Sequence, residues 1–236
     1  MNKVSCIICA YNEGPRIGNI LEVVTNHSLI DEIIVVNDGS SDNTEIESLK
    51  FKTVKFIRHR KNLGKSQSML DGCNKAKNDL VLFLDADLIG LTSDNITQLV
   101  KPVQEGLVDM TMSICRYDFV LNAFSKILGV EIPNGQRVIK KKIAKKVLKN
   151  SFGYSIELQM NQYILEKNIK FFVVSWLNVK PPLKRYKTGI KKGIFTNIVG
   201  FKQLITKVSL IQIIKQLLFM GKLSNKYKKE LNMSLK

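Results

Sequence analysis

Two carboxylates two residues apart, Asp85 and Asp87, follow the apolar run Leu80-Val81-Leu82-Phe83-Leu84. On a chain that stays extended past a strand, residues i and i+2 point the same way, so both carboxylates face one point. Such a pair repels unless a cation lies between its members or protons are retained. A hard divalent ion, Mg²⁺ or Mn²⁺, suits these oxygen ligands and keeps open positions for phosphate oxygens. The plainer alternative for Asp85-Ala86-Asp87 is an acidic cap on a strand end.

Asp38 ends a second apolar run, Ile33-Ile34-Val35-Val36, and Gly39 after it permits a sharp turn. A carboxylate there can accept from a base N–H or a ribose hydroxyl. Ser41, Asp42 and Asn43 read instead as N-caps of the next helix. In Arg58-His59-Arg60-Lys61-Asn62-Leu63-Gly64-Lys65, Gly64 and Lys65 open a helix, placing backbone N–H groups and an ammonium where a diphosphate can rest. The segment is not a GxxxxGK[ST] loop, which disfavours an ATPase. His59 reads as a solvated loop residue. Cys6 and Cys9 form a CxxC, but odd spacing on a strand sends their thiols to opposite faces, so they read as buried cysteines rather than metal ligands.

The elements that must position these groups are short apolar runs alternating with amphipathic stretches. Residues 4–10, 32–36, 54–58 and 80–84 read as strands apolar on both faces, and residues 16–25, 43–49 and 65–77 as helices. The repeated βα pattern predicts an α/β fold with an open, mostly parallel sheet. Ligands bind such sheets at the carboxyl ends of the strands. Four polar segments fall there: Tyr11-Asn12-Glu13-Gly14, residues 37–42, residues 62–65 and Asp85-Ala86-Asp87. They are expected to converge on one crevice. Further on, residues 108–114 and 169–174 read as strands, and 118–128, 138–148 and 156–167 as helices.

These segments, in this order, resemble glycosyltransferase family 2: Cys6-Ile7-Ile8-Cys9-Ala10-Tyr11-Asn12-Glu13, Val36-Asn37-Asp38-Gly39-Ser40-Ser41-Asp42, Asn62-Leu63-Gly64-Lys65 and Asp85-Ala86-Asp87. The resemblance implies the GT-A nucleotide-sugar-binding fold. It implies that Ala10, Tyr11, Glu13 and Asp38 line the nucleoside pocket with Lys65 near it. Asp85 and Ala86 then reach the ribose or sugar, and Asp87 ligates Mg²⁺ or Mn²⁺. Asn134-Gly135-Gln136-Arg137 is similar to the Gly-x-Arg segment of the polyprenyl-phosphate and phosphoglycerate sugar transferases of this fold, and Gly153-Tyr154-Ser155-Ile156-Glu157 extends the likeness. Arg137 and Glu157 join Asp87 as catalytic candidates. Arg137 and Lys65 have solvated surface charge as their alternative, and Glu157 a favourable contact at a helix start. Relatives commonly carry a His in the loop after the last strand; here that loop, Leu177-Asn178-Val179-Lys180-Pro181-Pro182, has none. Diphosphate oxygens, water or Glu157 are left to complete the metal shell.

The implied reaction is attack on an anomeric carbon with nucleoside diphosphate leaving, UDP being the default donor. A hydroxyl acceptor needs a base, for which Asp118 and Glu157 are candidates; a phosphate acceptor is already nucleophilic. The chain has 37 Lys and Arg against 20 Asp and Glu, a net charge of +17, so an anionic partner is expected. Nucleic acid is not the favoured one, because the lysines are interleaved with few aromatics and no recognised motif appears. A nucleotidyltransferase is disfavoured by the lack of a Gly-rich basic loop after the first strand. The organisation read from this is a catalytic domain over residues 1–178, in which residues 1–117 bind the nucleotide sugar and residues 118–178 the acceptor, followed by a basic helical tail over 179–236. Within the tail Leu210, Ile211, Ile213, Ile214, Leu217 and Leu218 share one helical side. That side suits a lipid interface, the catalytic domain or a second subunit. No run of eighteen apolar residues and no secretory leader is present, which reads as a cytoplasmic protein, peripheral at the membrane when its acceptor is a polyprenyl phosphate. A small phosphorylated acceptor such as phosphoglycerate is the alternative.

Overall fold

The computed structural model describes residues 2–115, 135–149 and 156–180, and Leu218 beyond them. β1 (Val4–Ala10), β2 (Glu32–Asn37), β3 (Val54–Arg58) and β4 (Leu80–Asp85) alternate with α1 (Gly14–Thr25), α2 (Thr44–Leu49) and α3 (Lys65–Lys75). β2 is wholly buried and β1 and β4 nearly so, as strands covered on both faces must be, whereas β3 forms the half-buried edge. The chain continues through α4 (Ser93–Gln104), β5 (Met110–Cys115), β6 (Arg137–Lys140), α5 (Lys141–Leu148), α6 (Ile156–Glu166) and β7 (Phe171–Trp176). The seven strands make one sheet in the order β3-β2-β1-β4-β6-β5-β7. Every pairing is parallel except those of β6 with β4 and β5. This is the open, mostly parallel α/β sheet that the βα pattern predicts.

Two elements depart from the sequence reading. Residues 138–148 are not one helix: residues 137–140 form a strand, and the helix begins at Lys141. Val138 and Ile139 look like helix-face residues in sequence, but they pair with Leu82 and Val81 on one side and with Thr111 and Met110 on the other. The Lys141 N–H then donates to the Asp79 carbonyl at 2.7 Å, where the chain turns into α5. Helix α4 is the second departure, absent from the elements expected. Its signals are a capping box between Thr92 and Asn95 and the buried Ile96, Leu99, Val100 and Val103. Asn instead of Glu or Gln in the box and Pro102 in the last turn weaken them. The helix expected at 118–128 and the tail from residue 181 onward lie outside the described residues.

The sheet separates two apolar layers. Cys6, Ile8, Leu82 and Leu84 face one, packed by α1 and α4; Ile7, Val81 and Phe83 face the other, packed by α3, α5 and α6. Each fully buried Ile or Leu contributes about 1.5–3 kcal/mol. Cys6 belongs to the first layer and Cys9 packs against the second, so the CxxC thiols do point apart. Burial pushes the Cys6 and Cys9 thiols up, and that of Cys73 up to about 12.

Candidate active site

The parallel register ends Ala10 beside Asn37, Asn37 beside Arg58, and Cys9 beside Asp85, so the loops after β1 to β4 leave from one edge of the sheet. Hydrogen bonds then join each loop to the next. Asn12, held at φ 56°, donates its N–H to Ser40 Oγ at 2.9 Å and accepts from the Ser41 N–H at 2.9 Å. The Glu13 N–H donates to Thr44 Oγ1 and the Gly14 N–H to Asp42 Oδ2. Asp42 also accepts from the Thr44 N–H and hydroxyl, so its carboxylate ties the starts of α1 and α2 together, while the N-cap of α2 is Asn43, which makes no side-chain cap bond. Gly39 lies at φ 73°, where a Cβ would meet the Lys61 backbone at 2.5 Å, so only glycine lets these loops close.

Asp38 links the second loop to the third. Its carboxylate accepts from the Leu63 N–H at 2.8 Å, the Gly64 N–H at 2.9 Å and His59 Nδ1 at 2.7 Å. His59 is therefore not the solvated residue expected from sequence. It is buried, and its Nε2 stands 3.1 Å from Asp71 Oδ2 on α3. Polar neighbours on either side in sequence hid this, because both partners are distant along the chain.

Lys65, the first residue of α3, joins the third loop to the fourth. Its Nζ lies 2.9 Å from Asp85 Oδ1 and 3.0 Å from Glu157 Oε1, on the first turn of α6. Burial pulls the Lys65 ammonium down, but Asp85 and Glu157 outweigh it and hold it above its ordinary range. Gln136, not singled out from sequence, donates from Nε2 to Asp85 Oδ2 at 2.6 Å. Gly135 leaves the space that Lys65 fills: a Cβ there would stand 2.9 Å from Nζ.

The remaining predicted residues fall around this line. Ala10 is the buried last residue of β1, Tyr11 stands half-exposed beyond it, and Ala86 is buried in the core. Glu13 lies at the start of α1 with its carboxylate bonded to Arg16 Nε at 2.7 Å. Asp87 does not continue an extended strand; β4 ends at Asp85 and the chain turns through Ala86 and Asp87. Strand alternation thus does not aim the two carboxylates, although both sit half-buried at the same edge. Arg137 is 1% exposed, so the solvated alternative does not hold for it. Its NH1 donates to Asn161 Oδ1 at 3.4 Å. Burial lowers its guanidinium's pKa, against the attraction of Glu157 and Asp85. Asp85 and Glu157 thus meet Lys65 at this edge, Arg137 is buried with both carboxylates acting on it, and Asp87 lies in the turn just beyond Asp85. The edge offers oxygen donors for a hard metal and positive charge for a diphosphate.

A family model described as glycosyl transferase family 2 matches residues 5–158. Over 115 residues the chain is 35% identical to the undecaprenyl-phosphate 4-deoxy-4-formamido-L-arabinose transferase of Proteus mirabilis, covering 45% of this chain and 35% of that protein. Over 124 residues it is 32% identical to a dolichyl-phosphate beta-glucosyltransferase of Trichomonas vaginalis, covering 44% of this chain and 38% of that one. The matched region thus spans about a third of the length of these curated relatives. Among solved structures, glucosyl-3-phosphoglycerate synthase from Mycobacterium tuberculosis with Mn²⁺, UDP and glucosyl-3-phosphoglycerate superposes with a TM-score of 0.62 at 18% identity, covering 84% of this chain and 80% of that one. Its complex with Mn²⁺, UDP-glucose and phosphoglyceric acid gives 0.63 at 21% identity, covering 84% and 79%. At these identities the likeness concerns the fold, which is of the GT-A type.

Proposed function

The chain belongs to glycosyl transferase family 2, and from that premise we propose that it moves a sugar from a nucleotide-diphosphate sugar to a lipid-borne phosphate. One observation carries this reading: bonds tie the four strand-end loops together along one sheet edge, Asn12 to Ser40, the Asp38 N–H to the Ala10 carbonyl, the Gly64 N–H to Asp38, and Lys65 to Asp85 and Glu157. A long anionic ligand fits such a line, with the nucleoside at the Tyr11 and Asp38 end and the reacting sugar at the Asp85 end. UDP is the donor nucleotide we assign, in keeping with the solved relatives crystallised with UDP.

The donor set fits Mg²⁺ or Mn²⁺. Among the described residues no group of three His, Cys, Asp or Glu is able to hold a metal by itself. That suits an ion bound through one or two carboxylates and otherwise by donor phosphate oxygens and water. Asp87 would hold it, with Asp85 beside it on the ribose or sugar. When bound, the ion supplies charge neutralisation for the departing diphosphate.

The chain's own residues orient and balance charge around it. Lys65 keeps an ammonium between Asp85 and Glu157, so the edge is not purely negative when a diphosphate arrives. Gln136 fixes the second Asp85 oxygen, and buried Arg137 adds positive potential in a setting with little water to screen it. Glu157 is committed to Lys65, which makes it a counter-ion rather than a base in this arrangement. Asp118, the other base candidate, lies outside the described residues, and a phosphate acceptor needs neither.

A second acceptor, a small phosphorylated acid, is favoured by the solved relatives bound to phosphoglyceric acid. The test is incubation with radiolabelled UDP-glucose and Mn²⁺, offering either polyprenyl phosphate in detergent or phosphoglycerate. Label in the organic phase supports the lipid acceptor, and label in a new water-soluble anion supports the second. Binding of RNA or DNA with no transfer to either would contradict both.

A further inference from the structure

Among the groups left over by this mechanism, the buried imidazole of His59 is the one whose geometry leads furthest. Its two ring nitrogens face two carboxylates on different elements: Asp38 Oδ1 after β2 at 2.7 Å, and Asp71 Oδ2 on α3 at 3.1 Å. An ionised carboxylate only accepts, so the shorter contact, to Asp38, takes a ring N–H at Nδ1. Asp38 also holds the Leu63 and Gly64 amides that begin the turn into α3, and Lys65 follows at once. The His59 N–H is bonded to the Asn37 carbonyl at 2.9 Å, so its own backbone is fixed to β2.

We propose that His59 is a positioning residue for the donor nucleotide: through Nδ1 it fixes the Asp38 carboxylate, and thereby the 63–65 turn that presents Lys65 to Asp85. The inference rests on the donor reading above. The Asp71 side of the ring is an outer brace. Asp71 also accepts from Gln67 one turn earlier on α3, and so keeps a partner without His59. On the Asp38 side, loss of the ring frees the carboxylate to turn away from two partly buried amides, and an amide left without its acceptor is costly.

The side chains of Asn and Gln separate the two contacts. An Asn amide nitrogen reaches the place of Nδ1, and a Gln amide nitrogen the place of Nε2. His59→Asn therefore keeps a donor on Asp38, whereas His59→Gln keeps one on Asp71. The experiment measures the Kd of UDP in Mn²⁺ by calorimetry and amide hydrogen exchange at Leu63 and Gly64, for the wild type, His59→Asn, His59→Gln and Asp71→Ala. His59→Gln should weaken UDP binding about tenfold and speed exchange at both amides by a similar factor. His59→Asn and Asp71→Ala should stay within about twofold of the wild type on both readouts. Equal weakening by Asn and Gln, or by Asp71→Ala, overturns the proposal. If Gln at this position melts early, the His59→Asn and Asp71→Ala results still decide it. A wild type that binds no nucleoside diphosphate counts against the donor reading instead, and the exchange rates still judge His59.

Discussion

Lys65 is the side chain on which the site's charge balance turns, since it meets Asp85 and Glu157 from two separate elements. Replacing it with Met keeps the length and removes the charge, leaving two carboxylates facing each other across the edge. Lys65→Met should lower turnover about 10²-fold, the scale of losing one preorganised charge at a transition state, with initial rates as the readout. Gly135→Ala tests the same contact from the other side. The added Cβ would crowd Nζ at 2.9 Å, the far end of a flexible chain, so the fold should survive while Lys65 is displaced. We expect a loss of about three- to tenfold in turnover with an unchanged melting temperature. Asp38, Lys65 and Asp85 could be singled out in sequence because each sits at an apolar run's end or a helix start. Gln136 and His59 could not, because what makes them matter is a partner 51 residues away in one case and 21 in the other.

At the level of elements, the opposite edge of the sheet is held by Glu32, which is buried at the start of β2. Its carboxylate accepts from Ser5 Oγ at 2.5 Å on β1, from the Lys77 N–H at 2.8 Å after α3, and from Lys55 on β3. Burial pushes its pKa up, but these donors outweigh burial and hold it below the usual carboxylate range. A lowered folded pKa gives stability that is complete above the unfolded value and is lost as pH falls through the folded one. Glu32→Gln should therefore cost about 2 kcal/mol at neutral pH and less in acid, which thermal melts from pH 7 down to pH 3 will show. The first four strands were legible because each is a largely apolar run bounded by polar loops, buried in β1, β2 and β4 and half-buried in β3. β6 was not, since it has four residues and runs straight into a lysine-rich helix. Only its place between β4 and β5 makes residues 137–140 extended.

For the whole molecule, some of the lysines behind the net charge of +17 make contacts with the rest of the fold. On and beside α5, Lys141 Nζ donates to the Ala76 and Lys77 carbonyls, Lys140 pairs with Asp109 at 3.2 Å, and Lys146 lies 5.7 Å from the Tyr163 ring centre. No helix among the described residues is long and apolar enough to cross a membrane. On the proposed reading a lipid acceptor is met at a membrane surface, where each nearby Lys or Arg contributes about 1 kcal/mol. Sedimentation with anionic vesicles should show binding that high salt abolishes and that removal of residues after Gly200 weakens. Unchanged binding of the truncated chain would reject the tail as the anchor.

The most direct test of the account is a thermal-shift panel of nucleoside diphosphates with and without Mn²⁺, run on the wild type and on Asp87→Ala. One nucleotide, UDP on this reading, should raise the wild-type melting temperature only when Mn²⁺ is present, and Asp87→Ala should abolish that rise without lowering its own melting temperature. A rise that is the same without metal, or that survives in Asp87→Ala, would contradict the assignment of the strand-end carboxylates to a metal-bound diphosphate.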